Sequence, residues 1–253
     1  MNRLARWRTD GREVAVACLG RSGVAAARLL GRHGGAVYAS DAATKRENDA
    51  ALLRAELGAR SAEAGGHDLE RIGRAQALVL SPGIPPGAAV VRAARDRGIE
   101  VVAEVQLGLD ALEGVPYIAV TGTNGKSTTT ALIAHLLQQA GRRAVAAGNI
   151  GTPVCAVALE AEPPEWLALE LSSFQLHDAR DLHPRVGVLT NLAPDHLDRY
   201  ADLAEYLGDK ARLFANGNAA SIWVSNLDDP LSREMVADVP GRHLAFSTQH
   251  SAD

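Results

Sequence analysis

Residues 118–137 read IAVTGTNGKSTTTALIAHLL. The apolar IAV closes a buried strand, TGTNGKST supplies the glycines and hydroxyls of a tight loop, and TTTALIAHLL continues with helical spacing, which is one strand-loop-helix unit of a parallel α/β sheet. Successive backbone N–H groups in such a loop form a nest for an anion, and the helix start adds its positive end. Gly122, Thr123, Asn124, Gly125, Lys126, Ser127 and Thr128 are therefore the candidate ATP-binding residues. In this geometry Lys126 reaches the β- and γ-phosphates and the Ser127 hydroxyl ligates Mg²⁺. The spacing departs from G-x-x-x-x-G-K-[ST], because Val120 stands where the first glycine would fall.

The same grammar extends in both directions. Toward the N-terminus, VAVACL (14–19) reads as a strand that turns at Gly20-Arg21-Ser22-Gly23 into an Ala/Leu-rich helix ending near His33-Gly34-Gly35. AVYAS (36–40) delivers Asp41 to a strand end, and ALVL (77–80) runs into the Pro/Gly loop SPGIPPG (81–87). A helix near 88–97 and a strand near 99–102 complete this unit, and Glu113-Gly114-Val115-Pro116 reads as a linker. Beyond the phosphate loop, strands are expected around 143–147, 166–171, 185–190 and 221–225. The expectation is an α/β protein with a Rossmann-like parallel-sheet domain over 1–114 and a P-loop ATPase-type α/β domain over 115–253.

The first turn fits G-x-G-x-x-G only in part: Cys18 occupies the first glycine position, with Gly20 and Gly23 following. Asp41, 21 residues after Gly20, stands where such folds place an acid against a sugar hydroxyl. A nucleotide of some kind is favoured, and NAD is not specified. An ordinary βα turn is the plainer reading of the same residues.

Composition narrows the classes. Net charge is −4, from 26 basic and 30 acidic residues, which argues against a broad basic face for nucleic acid. Residues 1–114 carry +2 and 115–253 carry −6, so the first part suits an anionic ligand and the acid-rich second part suits metal ions. Two cysteines, Cys18 and Cys155, make no disulfide framework, and no apolar run approaches a membrane span. The expected setting is cytoplasmic, without membrane or nucleic-acid partners. Lysine is scarce, with Lys45, Lys126 and Lys210 against 23 arginines, so a lysine here marks a place where an amine is chemically required.

ALELSSFQL (168–176) ends a strand with Glu170, and VLTNLAPDHLDRY (188–200) places His196 between Asp195 and Asp198. Carboxylate and hydroxyl oxygens suit a hard cation, so Glu170 and Ser127 are paired as its ligands. His196 is a candidate for a second ion, against the plainer reading of a satisfied polar residue. Lys210, in EYLGDKARLF (205–214), reads by spacing alone as a surface lysine.

Taken together, TGTNGKSTTT (121–130), GNIGTP (148–153), ELSSFQL (170–176), TNLAPDHLDRY (190–200) and DKARLF (209–214) resemble the Mur ligase family, and within it the branch that adds D-glutamate. The resemblance extends through SPGI (81–84) and RAARDRGIEVVAEVQL (92–107). It implies an ATP-dependent ligase that joins D-glutamate to UDP-N-acetylmuramoyl-L-alanine through an acyl phosphate, using two Mg²⁺ ions, and that is monomeric when intact. By resemblance, Lys126 holds phosphates, Ser127 and Glu170 bind the first Mg²⁺, and His196 binds the second. Lys210 matches a carbamylated lysine that helps organise the metal site, so Lys126, His196 and Lys210 are the catalytic candidates. Gly20, Arg21, Ser22, Asp41 and Ser81-Pro82-Gly83 are then contacts for the uridine diphosphate, and Asn149, Ser172 and His196 further substrate contacts.

Family members run past 400 residues, so the chain to Asp253 is expected to lack the C-terminal domain that carries most of the D-glutamate site, and to bind substrate without completing synthesis. A Rossmann oxidoreductase would use Gly20, Gly23 and Asp41 but leave TGTNGKST and ELSSFQL idle. A sister ligase, for another muramyl amino acid or for folate, and a non-catalytic nucleotide-binding fragment are the other readings.

Overall fold

The structure is a computed structural model that describes residues 3–195 and 199–249. It divides into two compact units. The first takes in residues up to Glu113 together with Pro153–Pro163, a segment that chain order would assign to the second; the second holds Gly114–Thr152 and the chain from Pro164 onward.

The first unit opens with helix α1 (Arg3–Asp10), then alternates β1 (Val14–Ala17), α2 (Arg21–Arg32), β2 (Val37–Asp41), α3 (Glu47–Leu57), β3 (Ala62–Ala64), α4 (Leu69–Ile72), β4 (Ala77–Leu80), α5 (Ala89–Arg95), β5 (Glu100–Ala103) and α6 (Glu104–Ala111). Its five strands are all parallel, in the order β3-β2-β1-β4-β5. The central strands are buried on both faces, as the unbroken apolar runs VAVA and ALVL require. Strand β1 stops two residues short of the expected Leu19, because Cys18 takes φ +81° and leaves extended geometry. Strand β3 was not expected: AEA is short and only one of its residues is fully buried.

The second unit begins with β6 (Tyr117–Thr121), α7 (Lys126–Gln139) and β7 (Ala144–Gly148). The chain then lends α8 (Val154–Val157) to the first unit, where Cys155 joins the core packed beneath Leu29, Leu30 and Leu107. There follow β8 (Trp166–Glu170), α9 (Ser173–His177), β9 (Val186–Leu189), α10 (Leu203–Ala211), β10 (Ile222–Asn226), α11 (Pro230–Val236) and β11 (Arg242–Phe246). The sheet is again parallel, ordered β11-β10-β9-β6-β8-β7. Strand β11 was not expected either, and every residue of it is exposed.

In both units the first strand in chain order lies inside the sheet with later strands on either side. Parallel sheets open a crevice at the carboxyl ends of the strands where the order reverses. In the first sheet that point lies between β1 and β4, and in the second it lies around β6. No helix among the described residues is long and apolar enough to cross a membrane.

Candidate functional site

The second unit gathers its polar residues at the carboxyl edge of β6, β7, β8 and β9. Strand β6 ends at Thr121, whose hydroxyl donates to Leu171 O at 2.9 Å, and the loop Gly122–Gly125 then leads into α7. Gly122 has φ +142°, and a Cβ there would lie 2.0 Å from Thr190 Oγ1 and 3.0 Å from Asn191 O. Only glycine allows the loop to pass so close to β9. The loop is clamped from that side: the Thr190 hydroxyl donates to Asn124 O at 2.7 Å, Asn191 Nδ2 donates to the same oxygen at 3.0 Å, and Asn124 N donates back to Asn191 Oδ1 at 2.9 Å. Thr190 and Asn191 stand in the TNLAP stretch, yet sequence reading gave them no task. Their hydroxyl and amide are ordinary strand-end chemistry until the loop is known to lie across them.

The first-turn N–H groups of α7 have no intrahelical acceptors, and they open where a Cβ on Gly125 would meet nothing within 4 Å. Lys126 Nζ meanwhile donates to Gly122 O at 3.1 Å and Thr123 O at 2.7 Å, folded back over the loop. The Ser127 hydroxyl donates to Glu170 Oε2 at 2.6 Å, and Asn149 Nδ2 donates to Glu170 Oε1 at 2.8 Å. Glu170 is 2% exposed, so the fold holds a buried carboxylate against a serine hydroxyl at the mouth of an anion nest.

Lys210, on α10, is also 2% exposed. Its amine donates to Gly122 O at 2.6 Å and lies 4.7 Å from the Tyr206 ring centroid. Burial first, and the nearby Lys126 cation second, hold this amine down to about 7, against the pull of Asp195. The surface-lysine reading is thereby replaced: helical spacing could not show that α10 turns this residue inward. Tyr206 adds a second tie, its hydroxyl 3.1 Å from Thr123 Oγ1.

Lys126, Ser127, Asn149, Glu170 and Lys210 thus converge on one loop. Ser172 is committed elsewhere: its hydroxyl accepts from Gln175 N at 3.3 Å and forms a capping box that starts α9. His196 and Asp198 lie outside the described residues. The acid richness of the second half is not gathered into a cage, since no cluster of three His, Cys, Asp or Glu residues suited to a metal is found among the described residues.

A magnesium nucleotide meets a suitable donor set here. Hard oxygens from Ser127 and Glu170 match the cation's preference, and the open loop with its helix start matches phosphate.

In the first unit, the turn after β1, the end of β2 and the loop after β4 meet at one edge, because Ala17 is in register with Ser40 and with Leu80. A Cβ on Gly23 would fall 1.7 Å from Cys18 O, so α2 packs on the turn by backbone contact. Asp41 is already employed: Oδ2 accepts from Leu19 N at 2.7 Å and Oδ1 from Ala43 N at 2.8 Å. Burial opposes its charge, but these N–H donors, with Cys18 and Arg46, keep its carboxyl below the ordinary range. The acid expected at a sugar hydroxyl is therefore first a brace for the turn, with lone pairs to spare. Ser81 Oγ is buried with no hydrogen-bond partner. Gly20 and Ser22 are half-buried, Pro82 likewise, and Arg21 and Gly83 are exposed.

Comparison with known proteins agrees with both units. The Mur ligase middle domain matches residues 120–253, and the Mur ligase MurD-like N-terminal domain matches residues 12–103. The UDP-N-acetylmuramoylalanine–D-glutamate ligase of Anaeromyxobacter dehalogenans is 43% identical over 228 residues, covering 89% of this chain and 48% of that protein. The ligase of the same name from Frankia casuarinae is 42% identical over 245 residues, covering 96% and 51%. The chain spans about half the length of the curated relatives it matches. Among solved structures, the fold matches a UDP-N-acetylmuramate:L-alanyl-gamma-D-glutamyl-meso-diaminopimelate ligase from Neisseria meningitides, with TM-score 0.58 and 19% identity over 93% of this chain and 78% of that one. It also matches the UDP-N-acetylmuramate-alanine ligase of Thermotoga maritima, with TM-score 0.55 and 20% identity over 94% and 53%.

Proposed function

Since the chain belongs to the Mur ligase family, we propose that it forms the uridine-substrate-binding and ATP-binding parts of an enzyme that adds D-glutamate to UDP-N-acetylmuramoyl-L-alanine in peptidoglycan precursor synthesis. The reading places the enzyme in the cytoplasm as a monomer, with a domain boundary near Gly114. The observation that carries it is Ser127 Oγ at 2.6 Å from a buried Glu170 carboxylate, beside a lysine-bearing phosphate loop. The names of the relatives supply the substrates.

Joining a carboxylate to an amine requires activation of a poor electrophile, and a phosphoryl group from ATP is the activating agent in this reaction class. Bringing a carboxylate to a triphosphate sets negative charge against negative charge, so pre-placed cations and N–H donors are the main device available to the protein. Lys126 is positioned to leave its carbonyl contacts and meet the phosphates, while the start of α7 supplies N–H groups. Bound magnesium would supply Lewis-acid neutralisation of phosphate charge, held by Ser127 and Glu170, with His196 for a second ion.

Asn149 keeps Glu170 oriented by occupying its other oxygen. Lys210, held down to about 7, is a neutral amine in part at neutral pH and can react with CO₂ to form a carbamate, trading a cation for an anion. Arginine in its place could not do this. Gly20, Arg21, Ser22, Asp41 and the Ser81-Pro82-Gly83 loop hold the uridine diphosphate, with the partnerless Ser81 hydroxyl available to it and Ser172 close to the reacting end.

Calorimetry of the purified chain with UDP-N-acetylmuramoyl-L-alanine, UDP-N-acetylmuramic acid and NADH tests the reading. Preferential binding of the alanyl compound is expected. Folded protein that ignores it and binds NADH tightly would identify the first unit as a dinucleotide site and overturn the proposal.

A further inference from the structure

His177 and Asp209 have no part in the contacts above, yet they lock together beside them. His177, the last residue of α9, sets Nδ1 at 2.9 and 3.0 Å from the two carboxylate oxygens of Asp209 on α10. Asp209 is 2% exposed, and Arg212 Nε donates to its Oδ1 at 3.0 Å. Nδ1 and the Asp209 carboxyl group thus share a hydrogen bond, whichever of the two carries the hydrogen. A carboxylate this deep persists only where its oxygens are satisfied.

The placement gives the pair a meaning beyond packing. Asp209 immediately precedes Lys210, whose amine holds Gly122 O. His177 closes a short helix that starts three residues after Glu170 and is fixed at its head by the Ser172–Gln175 capping box. One covalent path thus runs from the Glu170 carboxylate to His177, and His177 grips the neighbour of Lys210. Consecutive helical residues point roughly 100° apart, so a grip on Asp209 fixes the rotation of α10 about its axis and with it the direction of Lys210. A part-buried polar pair adds little net stability compared with apolar packing, but it fixes register.

We propose that His177 and Asp209 are positioning residues, a brace that sets Lys210 relative to Glu170 and so tunes how the site holds a magnesium nucleotide. The inference rests on the nucleotide-site reading above. Loss of the brace frees Lys210 from its set direction while Lys126 and the Thr190 and Asn191 contacts to the loop stay in place, and its effect falls on the part of nucleotide affinity that depends on the cation.

The test is calorimetric binding of ADP to the 253-residue chain, with saturating Mg²⁺ and with EDTA, for the unsubstituted chain, His177→Ala and His177→Asn. Removing a partner that orients a metal ligand costs about tenfold or more in metal-linked affinity. His177→Ala is expected to lose about that much with Mg²⁺ and nothing with EDTA. Asparagine, whose side-chain N–H can stand near the Nδ1 position, is expected to recover most of the loss.

Equal weakening with and without magnesium would mark a merely structural pair and overturn the brace, as would unchanged affinity in His177→Ala. An unsubstituted chain that binds ADP normally beside an indifferent His177→Ala defeats the brace alone. Failure of the unsubstituted chain to bind ADP in either buffer defeats the nucleotide-site reading and the brace with it.

Discussion

Replacing Lys210 by methionine should make the second unit more stable at neutral pH while damaging its site. The amine is 2% exposed and its pKa lies at about 7 against an ordinary 10.5. In the unfolded chain the amine is charged up to its ordinary value, whereas in the folded chain it loses its proton near 7. The unfolded state therefore binds more protons throughout that window, and stability rises with pH from about 7 to 10.5. At about 1.36 kcal/mol for each tenfold change in acidity, the strain on the fold at pH 7 is on the order of 4–5 kcal/mol.

Methionine keeps an unbranched apolar stem in the same space and forfeits the hydrogen bond to Gly122 O, which offsets about 1–2 kcal/mol. The net expectation is a gain of about 2–3 kcal/mol at pH 7 that shrinks toward zero or reverses near pH 10. Urea unfolding at pH 7, 8, 9 and 10 in CO₂-free buffer, followed by tryptophan fluorescence, measures it. Free thiols titrate in both proteins, so the difference between them isolates Lys210. A constant offset between variant and parent across that range would refute a buried, proton-shedding amine. Such a trade of stability for a poised group is a common feature of working sites.

A second group titrates in the opposite sense. Glu104 is 1% exposed, accepts from Cys155 N at 2.7 Å and has Oε2 without a partner; burial pushes it up to about 7 from 4.5. Its contribution is complete below 4.5 and lost as pH rises through about 7, so Glu104→Gln should gain about 2–3 kcal/mol at pH 8 and flatten the first unit's stability between pH 5 and 7 in thermal unfolding. Gly23→Ala should cost about 1–3 kcal/mol or more, because the added carbon would fall 1.7 Å from Cys18 O. Calorimetric melting, with titration of the uridine substrate, should show weaker binding in step with the distorted turn.

The strand-loop-helix order was legible because apolar runs such as VAVA and ALVL are long enough to be buried on both faces and are closed by turn residues. Strands β3 and β11 were not, since AEA and RHLAF bear no such run and depend on pairing with a neighbour already in place. The loan of Pro153–Pro163 to the first unit also escaped notice, because VCAV is apolar in a way that suits either core. At the site, the Lys126 and Ser127 motif stood out through fixed local spacing. Glu170 was legible as a strand-end carboxylate suited to a hard cation, Asn149 needed the family resemblance, and Thr190, Asn191, His177 and Asp209 gave no signal.

By itself, the sequence determined the local chemistry of this protein. It set two parallel α/β units, a glycine-rich phosphate loop carrying Lys126 and Ser127, and lysine confined to three places. The tertiary structure alone decided which distant groups share a space. Ser127 meets Glu170 across 43 residues of chain, Lys210 meets Gly122 across 88, and Cys155 meets Glu104 across 51. Local spacing governs hydrogen bonds within a turn or helix, whereas burial and the shifts in acidity that follow from it depend on which strands become neighbours. Sheet order, β3-β2-β1-β4-β5 and β11-β10-β9-β6-β8-β7, is set by the whole chain's packing, and no single segment encodes it.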